Sequence, residues 1–272
     1  MSVLQLDPTR TTMIRRRFAA DMQRRMRNLG RSINDLVVTQ DVFGLEPGLK
    51  ILRQEYKFLT DSQKVESYRK WLQQQVNEKV LTTSQVTGQP WTSVYIQSAH
   101  RKGFERSYTD VNKLQGDFYE GNKGEFIRSS FSQPELLSKV ELLYTRTFNE
   151  LKGVTDAMGQ QMGRVLADGL SRGQGPKVIA RELQKNLTKL TRTRALVIAR
   201  TETIHAHAEG QLDSLSLLGV DKVSAQVEFS TAGDDRVCSQ CADLEGSTYT
   251  IDEARGIIPI HPNCRCAWIP VI

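Results

Sequence analysis

Residues 234–246 (DDRVCSQCADLEG) and residues 261–272 (HPNCRCAWIPVI) together hold all four cysteines of this 272-residue chain. Cys238 and Cys241 have the spacing at which two thiolates bind one metal ion while backbone amides face the sulfurs. Cys264 and Cys266 would point to the same face of a strand, so both could reach that ion. His261 is a fifth candidate and could replace one cysteine. Four such donors predict a closed, tetrahedral zinc site of the structural type.

Other states of the cysteines remain open at this stage. No apolar signal segment follows Met1, so we expect synthesis in a reducing cytoplasm, where structural disulfides are uncommon. Reduced thiols without a metal are the main alternative. A redox CxxC is disfavoured, because that motif should open a helix after a strand in a βαβ unit. A β unit of about 50 residues has little core of its own, so a metal would supply folding energy.

The chain before this region is helical by pattern. Apolar residues recur every three or four positions in the first helix, which starts at Thr9 or Thr11. Its stripe comprises Ile14, Phe18, Met22, Met26, Leu29, Ile33 and Val37. Further helices are predicted over 60–80, 91–114, 133–152, 155–170, 176–187 and 191–218. Residues 116–126, rich in glycine and polar side chains, are predicted to form a flexible connection or exposed loop.

After Gly219 the period changes to two, from Val223 and Ala225 to Val227 and Phe229, which predicts a half-buried strand. Short strands are also predicted at Tyr249 with Ile251, and from Cys266 to Ile269. The fold class is therefore α+β, a mainly helical body with a small C-terminal β unit that zinc stabilises. The predicted segments are an arginine-rich helix (1–40), a helical N-terminal region (41–132), a second helical part (133–219) and the Cys-rich β unit (220–272).

Positive charge is concentrated at the N-terminus. The formal net charge is +6, and residues 1–35 hold eight arginines against three aspartates. Guanidinium groups suit bidentate contacts to phosphates or carboxylates. The candidates for nucleic-acid or partner binding are Arg15, Arg16, Arg17, Arg24, Arg25, Arg27 and Arg31. A solvated helix face that binds nothing remains the alternative.

Catalytic motifs are absent from the sequence, which has no GxSxG, phosphate loop, dinucleotide turn or HExxH. Glu202 and His205 would share a helix face, but His207 lies about 200° from His205, so the three do not converge. We expect no enzymatic activity. A hydrolytic site of Glu202, His205 and His261 is the least favoured alternative. Arg200 and Glu202 are instead expected to pair with the C-terminal unit, for example with Asp235 or Arg236.

The segments RALVIARTETIHAHAEGQ (194–211), DDRVCSQCADLEG and HPNCRC together resemble the phage head morphogenesis domain of the Mu F-like minor head protein family, over roughly residues 135–272. The family's motif positions carry over to Arg200, Thr201, Glu202, Asp235 and the five Cys and His donors. The resemblance implies a structural protein of a tailed phage, made in the host cytoplasm and located in the virion, inside the capsid near the portal.

The implied partners are the portal protein and other head proteins, with packaged double-stranded DNA as a further candidate and no membrane during assembly. The implied tasks are head assembly and the packaging or ejection of DNA. The alternative is a DNA-binding ejection protein, delivered with the genome, in which the arginine helix carries the activity. Salt-sensitive phosphate contacts would distinguish that function.

Overall fold

In the computed structural model, residues 7–45, 60–115, 119, 121–219 and 226–271 are described. These residues form eight α-helices and three β-strands. The helices are α1 (Thr12–Asn34), α2 (Asp61–Lys79), α3 (Ser93–Gln115), α4 (Lys123–Ser130), α5 (Pro134–Ser171), α6 (Pro176–Leu217), α7 (Ser239–Ala242) and α8 (Ile251–Ala254). The strands are β1 (Gln226–Ser230), β2 (Thr248–Tyr249) and β3 (Ala267–Val271), and a π-helical turn, Asp35–Thr39, follows α1. None of the described helices is long and apolar enough to cross a membrane.

The chain forms two compact units, each assembled from segments that are distant in sequence. The first unit comprises residues 1–18, 92–147 and 197–272, and the second comprises residues 19–91 and 148–196. The α+β class is confirmed, since helices dominate and the described strands form one antiparallel sheet. The division into four consecutive segments stays a prediction.

The first unit is built on the second half of α6, against which the small sheet packs. The strand order is β2-β1-β3, and β1 pairs antiparallel with both neighbours. Trp268 of β3 lies opposite Phe229 of β1, and both are fully buried. Apolar residues of α6 and three of the cysteines complete this core, whose main members are Ile204, Ala208, Leu212, Leu215, Val227, Phe229, Cys241, Cys264, Cys266 and Trp268.

Helices α3 and α6 cross at two glycines, where their backbones touch. A Cβ atom on Gly103 would lie 1.9 Å from the carbonyl oxygen of His207. Reciprocally, a Cβ on Gly210 would lie 2.0 Å from the carbonyl oxygen of His100. Both helices carry the same H-x-x-G pattern at the crossing. Because a Cβ atom would overlap the other backbone, only glycine permits this approach. The crossing holds α6 in the position on which the C-terminal sheet rests.

The second unit is a helical bundle that buries the predicted stripe of α1 from Met22 onward. Met22, Met26, Leu29 and Ile33 are at most 3 % exposed, so the helical period of this segment is confirmed. In α2 the buried residues are Tyr68, Leu72 and Val76, and Thr60 caps this helix in a capping box with Gln63.

Two predicted helix breaks do not occur. Helix α5 continues through Gly153, and α6 continues from Pro176 to Leu217 without the predicted interruption between 187 and 191. Glycine within a helix costs only about 1 kcal/mol relative to alanine. Burial of Leu151 and Met158 on either side of Gly153, and of Leu187 and Thr191, outweighs that cost.

Two local predictions were also wrong. Helix α4 lies partly within the predicted loop 116–126, because Asn122 and Glu125 form a capping box. Ile251 opens α8, capped by Thr250, and does not extend the strand of Tyr249. Val223 and Ala225, predicted to begin the first strand, lie outside the described residues.

Candidate metal centre and its surroundings

The first half of the Cys/His site lies at the start of α7. Cys238 precedes this helix and Cys241 lies within it, one turn later. The backbone N–H of Cys241 faces the sulfur of Cys238, which lowers the pKa of Cys238. This is the amide-to-sulfur arrangement predicted from the CxxC spacing. Cys238 is exposed, whereas Cys241 is 3 % exposed, so the site opens to solvent on one side only.

His261 aims one ring nitrogen at both of these sulfurs. Its Nε2 lies 3.0 Å from Sγ of Cys238 and 3.1 Å from Sγ of Cys241. The other nitrogen, Nδ1, lies 2.9 Å from the carbonyl oxygen of Pro262. A carbonyl can only accept, so Nδ1 carries a proton and donates it to Pro262, while Nε2 faces the two sulfurs. Metal-binding histidines are oriented by the same kind of contact.

Cys264 and Cys266 approach the site from the opposite side. They lie just before β3, outside the strand, so the prediction that they share a strand face was wrong. They nevertheless converge, because Sγ of Cys264, Cys266 and Cys241 lie within 4.8 Å of one another. Hydrogen bonding from Cys266 lowers the pKa of Cys264 to about 5.

The five donors form two overlapping triples that share Cys241. One triple is Cys238, Cys241 and His261, and the other is Cys241, Cys264 and Cys266, each with its donor atoms within 4.8 Å. Donors around a tetrahedral zinc, with bonds of about 2.0–2.3 Å, lie about 3.3–3.8 Å apart. The Cys and His groups could therefore hold a metal ion. The donor set, thiolate sulfur with one imidazole, is the one that zinc prefers in structural sites.

Three sets of contacts hold the C-terminal segment with the sheet (residues 226–271) on α6. Gln211 clamps β3 by donating to the carbonyl oxygen of Trp268 (2.7 Å) and accepting from its N–H (3.1 Å). The turn before Cys264 is held where the N–H of Asn263 donates to Oγ1 of Thr201 (3.2 Å). Beyond α8, Arg255 reaches Glu209 (2.9 Å) and a buried carboxylate of α6 (3.0 Å).

That buried carboxylate, Asp213, is the centre of an ion network. It accepts from Nε2 of His100 in α3 (2.9 Å) and pairs with Lys139 of α5 (3.1 Å), in addition to Arg255. Burial alone would raise the pKa of Asp213, but the hydrogen bond from His100 and the charges of His100, Arg255 and Lys139 lower it to about 2. Asp213 thus stays ionised and joins the helices beneath the metal centre to the C-terminal unit.

Asp234, which the sequence did not single out, is a main polar contact of the CxxC loop. It binds Arg265 through both guanidinium nitrogens and also pairs with Arg236 (3.1 Å). Asp235, the motif position carried over from the family, is exposed. The expected pair of Arg200 with Asp235 is not formed. The sequence TAGDD indicates a turn with two adjacent aspartates, but it does not indicate which of them binds an arginine.

Glu202, His205 and His207 do not form a common site, in agreement with their helical spacing. Glu202 is buried, accepts from Thr147 of α5 (3.2 Å) and lies 3.7 Å from Arg146. Nδ1 of His205 contacts the same arginine (2.9 Å), and burial together with that charge lowers its pKa to about 4.

His207 faces a different part of the first unit, at the α3–α6 crossing. It is fully buried, and burial lowers its pKa to about 3. Neither of its ring nitrogens has a hydrogen-bond partner among the described residues. Among those residues, His261 is the one histidine that joins a cluster able to hold a metal.

The seven candidate arginines of α1 occupy different environments. Arg16, Arg17, Arg24, Arg27 and Arg31 are exposed. Arg25 instead lies over the ring of Trp91 (4.3 Å) and donates to Oγ1 of Thr82 (2.8 Å). Arg15 is half-buried and binds Asp7. Arg15 and Arg25 therefore bind within the protein, and five candidates remain for contacts at the surface.

Comparison with protein-family models matches residues 160–269 to the family described as Phage Mu protein F like protein. Residues 160–269 are thus similar in sequence to that family. The matched span includes α6, the Cys/His site and most of β3, so the resemblance noted from the motifs is confirmed. It supports phage head morphogenesis, a structural task, as the setting of the protein. Neither curated proteins nor solved structures give a significant match.

Proposed function

We propose that the chain is a structural minor head protein of a tailed phage, bound near the portal inside the head. The observation that carries this proposal is the family match over residues 160–269, which spans α6 and the C-terminal unit docked on it. The protein would act in head assembly and in the packaging or ejection of DNA. Its location is then the virion, after synthesis in the host cytoplasm.

Within this function, the Cys/His site is proposed to hold one structural zinc ion. Cys241 is common to both donor triples, and three of Cys238, His261, Cys264 and Cys266 would complete the coordination. When bound, zinc would cross-link α7 to the turn before β3 and so stabilise the small sheet. The chain's own contributions are the Pro262 carbonyl that orients His261 and the amide that faces Cys238.

A structural rather than an enzymatic role is supported by the placement of the polar residues. Glu202 and His205 are engaged with Arg146, and the Asp213 network joins secondary structure elements. A zinc ion held by four of these protein ligands would also leave no coordination position for a substrate.

Co-expression of the full chain with the portal protein of the same phage tests the proposal. We expect the two proteins to copurify through size-exclusion chromatography, and the protein to be detected in purified virions by mass spectrometry. Cys241→Ser should reduce the copurified fraction, whereas Ser239→Ala, two residues away on an exposed position, should not. Absence of the protein from virions would contradict the proposal.

DNA binding is a second candidate, favoured by one specific observation. Arg24, Arg27 and Arg31 of the second unit are exposed, and their positions lie within about 60° of one another around the axis of α1, opposite its buried stripe. Arg31 also lines two surface clefts. Arg27 lines the first, of about 400 Å3, with it, and Arg24 and Lys79 line the second, of about 460 Å3.

The salt dependence of duplex binding tests this candidate. If the three arginines neutralise three phosphates, the triple Arg→Gln variant should lower the slope of log affinity against log salt by about 3. An unchanged slope would contradict a DNA-binding role for this helix face. Mass spectrometry of particles before and after ejection would show whether the protein leaves with the genome.

A further inference from the structure

The cleft of about 400 Å3 lies between α1 and the first half of α6, within the second unit. Its lining residues come from 23–31 on α1 and from 184–191 on α6. The two helices meet beside it, where the side-chain amide of Gln184 donates to the carbonyl oxygen of Gly30 (2.8 Å). A Cβ atom on Gly30 would lie 3.2 Å from Cδ2 of Leu187, so a side chain there would crowd the contact. Direct contacts between the two helices thus hold the walls of the cleft in place.

The cleft combines an apolar floor with a basic rim. Its floor is formed by the buried side chains of Met26 and Leu187. Its rim is formed by the exposed residues Arg27 and Arg31 of α1 and Thr188 of α6. Among the described residues that line the cleft, none is an aspartate or a glutamate. The positive charge of the rim is therefore not balanced within the cleft.

The two rim arginines are accessible to a partner. Arg27 forms no hydrogen bond or ion pair with another of the described residues. Arg31 donates one long hydrogen bond, of 3.3 Å, to Oδ1 of Asn28 at the exposed surface. The two arginines are four positions apart, so their Cα atoms are separated by about one helical turn, or about 6 Å along the axis of α1.

The charge of the surrounding unit also favours an acidic partner. The residues of the second unit include 20 lysines and arginines against 12 aspartates and glutamates, a net charge of +8. The residues of the first unit carry a net charge of −2. An excess of one sign of charge attracts a partner of the opposite sign and accelerates their encounter.

We propose that this cleft binds an acidic amphipathic helix of a partner protein. The apolar stripe of such a helix would cover Met26 and Leu187, in the groove that α1 and α6 leave between them. Carboxylates at positions i and i+4 of that helix are neighbours on its surface, about 6 Å apart, and would pair with Arg27 and Arg31. The planar fork of each arginine matches the two oxygens of a carboxylate. The proposal goes beyond the proposed function, because it does not require that the partner belong to a phage head.

An acidic helix suits the cleft better than duplex DNA does, although Arg27 and Arg31 are also candidates for DNA contacts. Duplex DNA carries one charge per about 1.7 Å of axis and requires an extended row of exposed cations. Its phosphates gain nothing from an apolar floor, and protein–DNA interfaces are more polar than those between proteins. An amphipathic helix uses both the buried apolar side chains and the paired arginines.

Binding of a labelled synthetic peptide to the full chain, measured by fluorescence anisotropy at low salt, tests the proposal. The peptide has about 18 residues, or five helical turns, with leucines along one face and glutamates on both sides of them. The double variant Arg27→Gln with Arg31→Gln should weaken its binding by about tenfold, the loss of two exposed ion pairs. The matched control is Arg164→Gln with Arg172→Gln. It removes two exposed arginines of the same unit that do not line the cleft, and it should leave the affinity unchanged.

Two altered peptides separate the contributions of charge and of the apolar stripe. The variant Arg27→Glu with Arg31→Glu should lose the glutamate peptide and bind a version with lysines at the same positions. A glutamate peptide of the same composition, with its leucines scattered around the helix, should bind the wild type at least about tenfold more weakly. Equal binding of the scattered peptide would show that charge alone acts, and it would overturn the proposal.

Thermal melting without peptide separates a binding role from a structural one. Because Arg27 and Arg31 are exposed, the double Gln variant should melt at the temperature of the wild type. A lowered melting temperature would assign the two arginines a structural role and overturn the proposal. Equal peptide affinity of the double variant and its control, or no binding of the peptide at all, would also overturn it. So would a loss of duplex binding by the double variant without a loss of peptide binding, which would assign the cleft to nucleic acid.

Discussion

Two sets of residues stand out in the sequence: the arginines of α1 and the Cys and His donors near the C-terminus. The two sets differ in how spacing along the sequence relates to proximity in the folded protein. The arginines are crowded within about 17 positions, yet they point into separate environments, from the surface to the face of Trp91. The donors are split between two segments, yet their sulfur and nitrogen atoms meet. Density along a sequence is therefore a poor guide to proximity in space.

The difference follows from backbone geometry. Each residue of a helix turns by about 100°, so successive arginines such as Arg24 and Arg25 must face different directions. Loops have no such constraint, and two of them can aim several side chains at one point. For the five Cys and His donors, this convergence depends on contacts with α6, chiefly those of Gln211 and Thr201.

The largest expected effect comes from removing the donor that both triples share. Cys241→Ser should lower the free energy of unfolding by about 4 kcal/mol or more, because loss of a structural metal site is among the most damaging single changes. Ser239→Ala is the matched control and should change stability by less than about 0.5 kcal/mol. Chemical denaturation of both variants measures the difference. A cost for Cys241→Ser as small as that of the control would mean that the donors meet without a metal.

The crossing of α3 and α6 should give the next largest effect on stability. Gly103→Ala should cost about 3 kcal/mol, because its Cβ would overlap the His207 carbonyl oxygen and overpacking forces backbone movement. Gly159→Ala provides the contrast, since nothing lies within 4 Å of that Cβ position in α5. It should stabilise the protein by about 0.5–1 kcal/mol. Melting curves that rank the two variants the other way would contradict the described crossing.

The pH dependence of stability should report on two buried histidines of α6, because arginines do not titrate in the relevant range. Burial lowers the pKa of His205 to about 4 and that of His207 to about 3, so both are neutral in the folded protein. Their contribution is complete above the unfolded value of about 6.5 and is lost as the pH falls towards the folded values. Between pH 6.5 and 5.5 the loss should be about 1 kcal/mol for each histidine.

His207→Leu isolates one of these two contributions. The variant should lose about half of the histidine-dependent change in unfolding free energy over that pH unit. Asp213 does not interfere, because the pKa of its carboxyl is lowered to about 2 and its stabilising contribution is lost only below about pH 4. A pH profile identical to that of the wild type would show that His207 is not buried in neutral form.

Effects on stability within the arginine set should be smaller than those at the shared donor and at the helix crossing. Arg25→Gln should cost about 1–2 kcal/mol, because it removes the contact with Trp91 and the hydrogen bond to Thr82. Arg24→Gln, one residue earlier and exposed, should cost less than about 0.5 kcal/mol. Equal costs for the two neighbours would contradict their assignment to different environments.

The sequence predicted those features that depend on local periodicity. The stripe of α1 and the change of period near Phe229 are such features, and the structure agrees with them. Breaks at Gly153 and after residue 187 were predicted wrongly, because tertiary burial outweighs the local cost of a weak helix former.

Long-range pairings were not accessible from a single sequence. Nothing local indicates that Asp234 rather than Asp235 binds Arg265, or that Gln211 clamps Trp268 across 57 positions. The donor set itself was found because cysteine and histidine are rare in this chain and have few other reasons to cluster. The two triples around Cys241 required the folded backbone, since Cys264 and Cys266 lie before β3 rather than on it.

Zinc content, measured together with melting before and after chelation, tests the central claim most directly. The full chain, purified without added metal or chelator, would be analysed by plasma mass spectrometry and then melted with and without a strong zinc chelator. We expect about one zinc ion per chain, and chelation should lower the melting temperature that is followed by the near-ultraviolet signal, to which the buried Trp268 contributes. A chain without metal whose melting does not respond to the chelator would contradict the account.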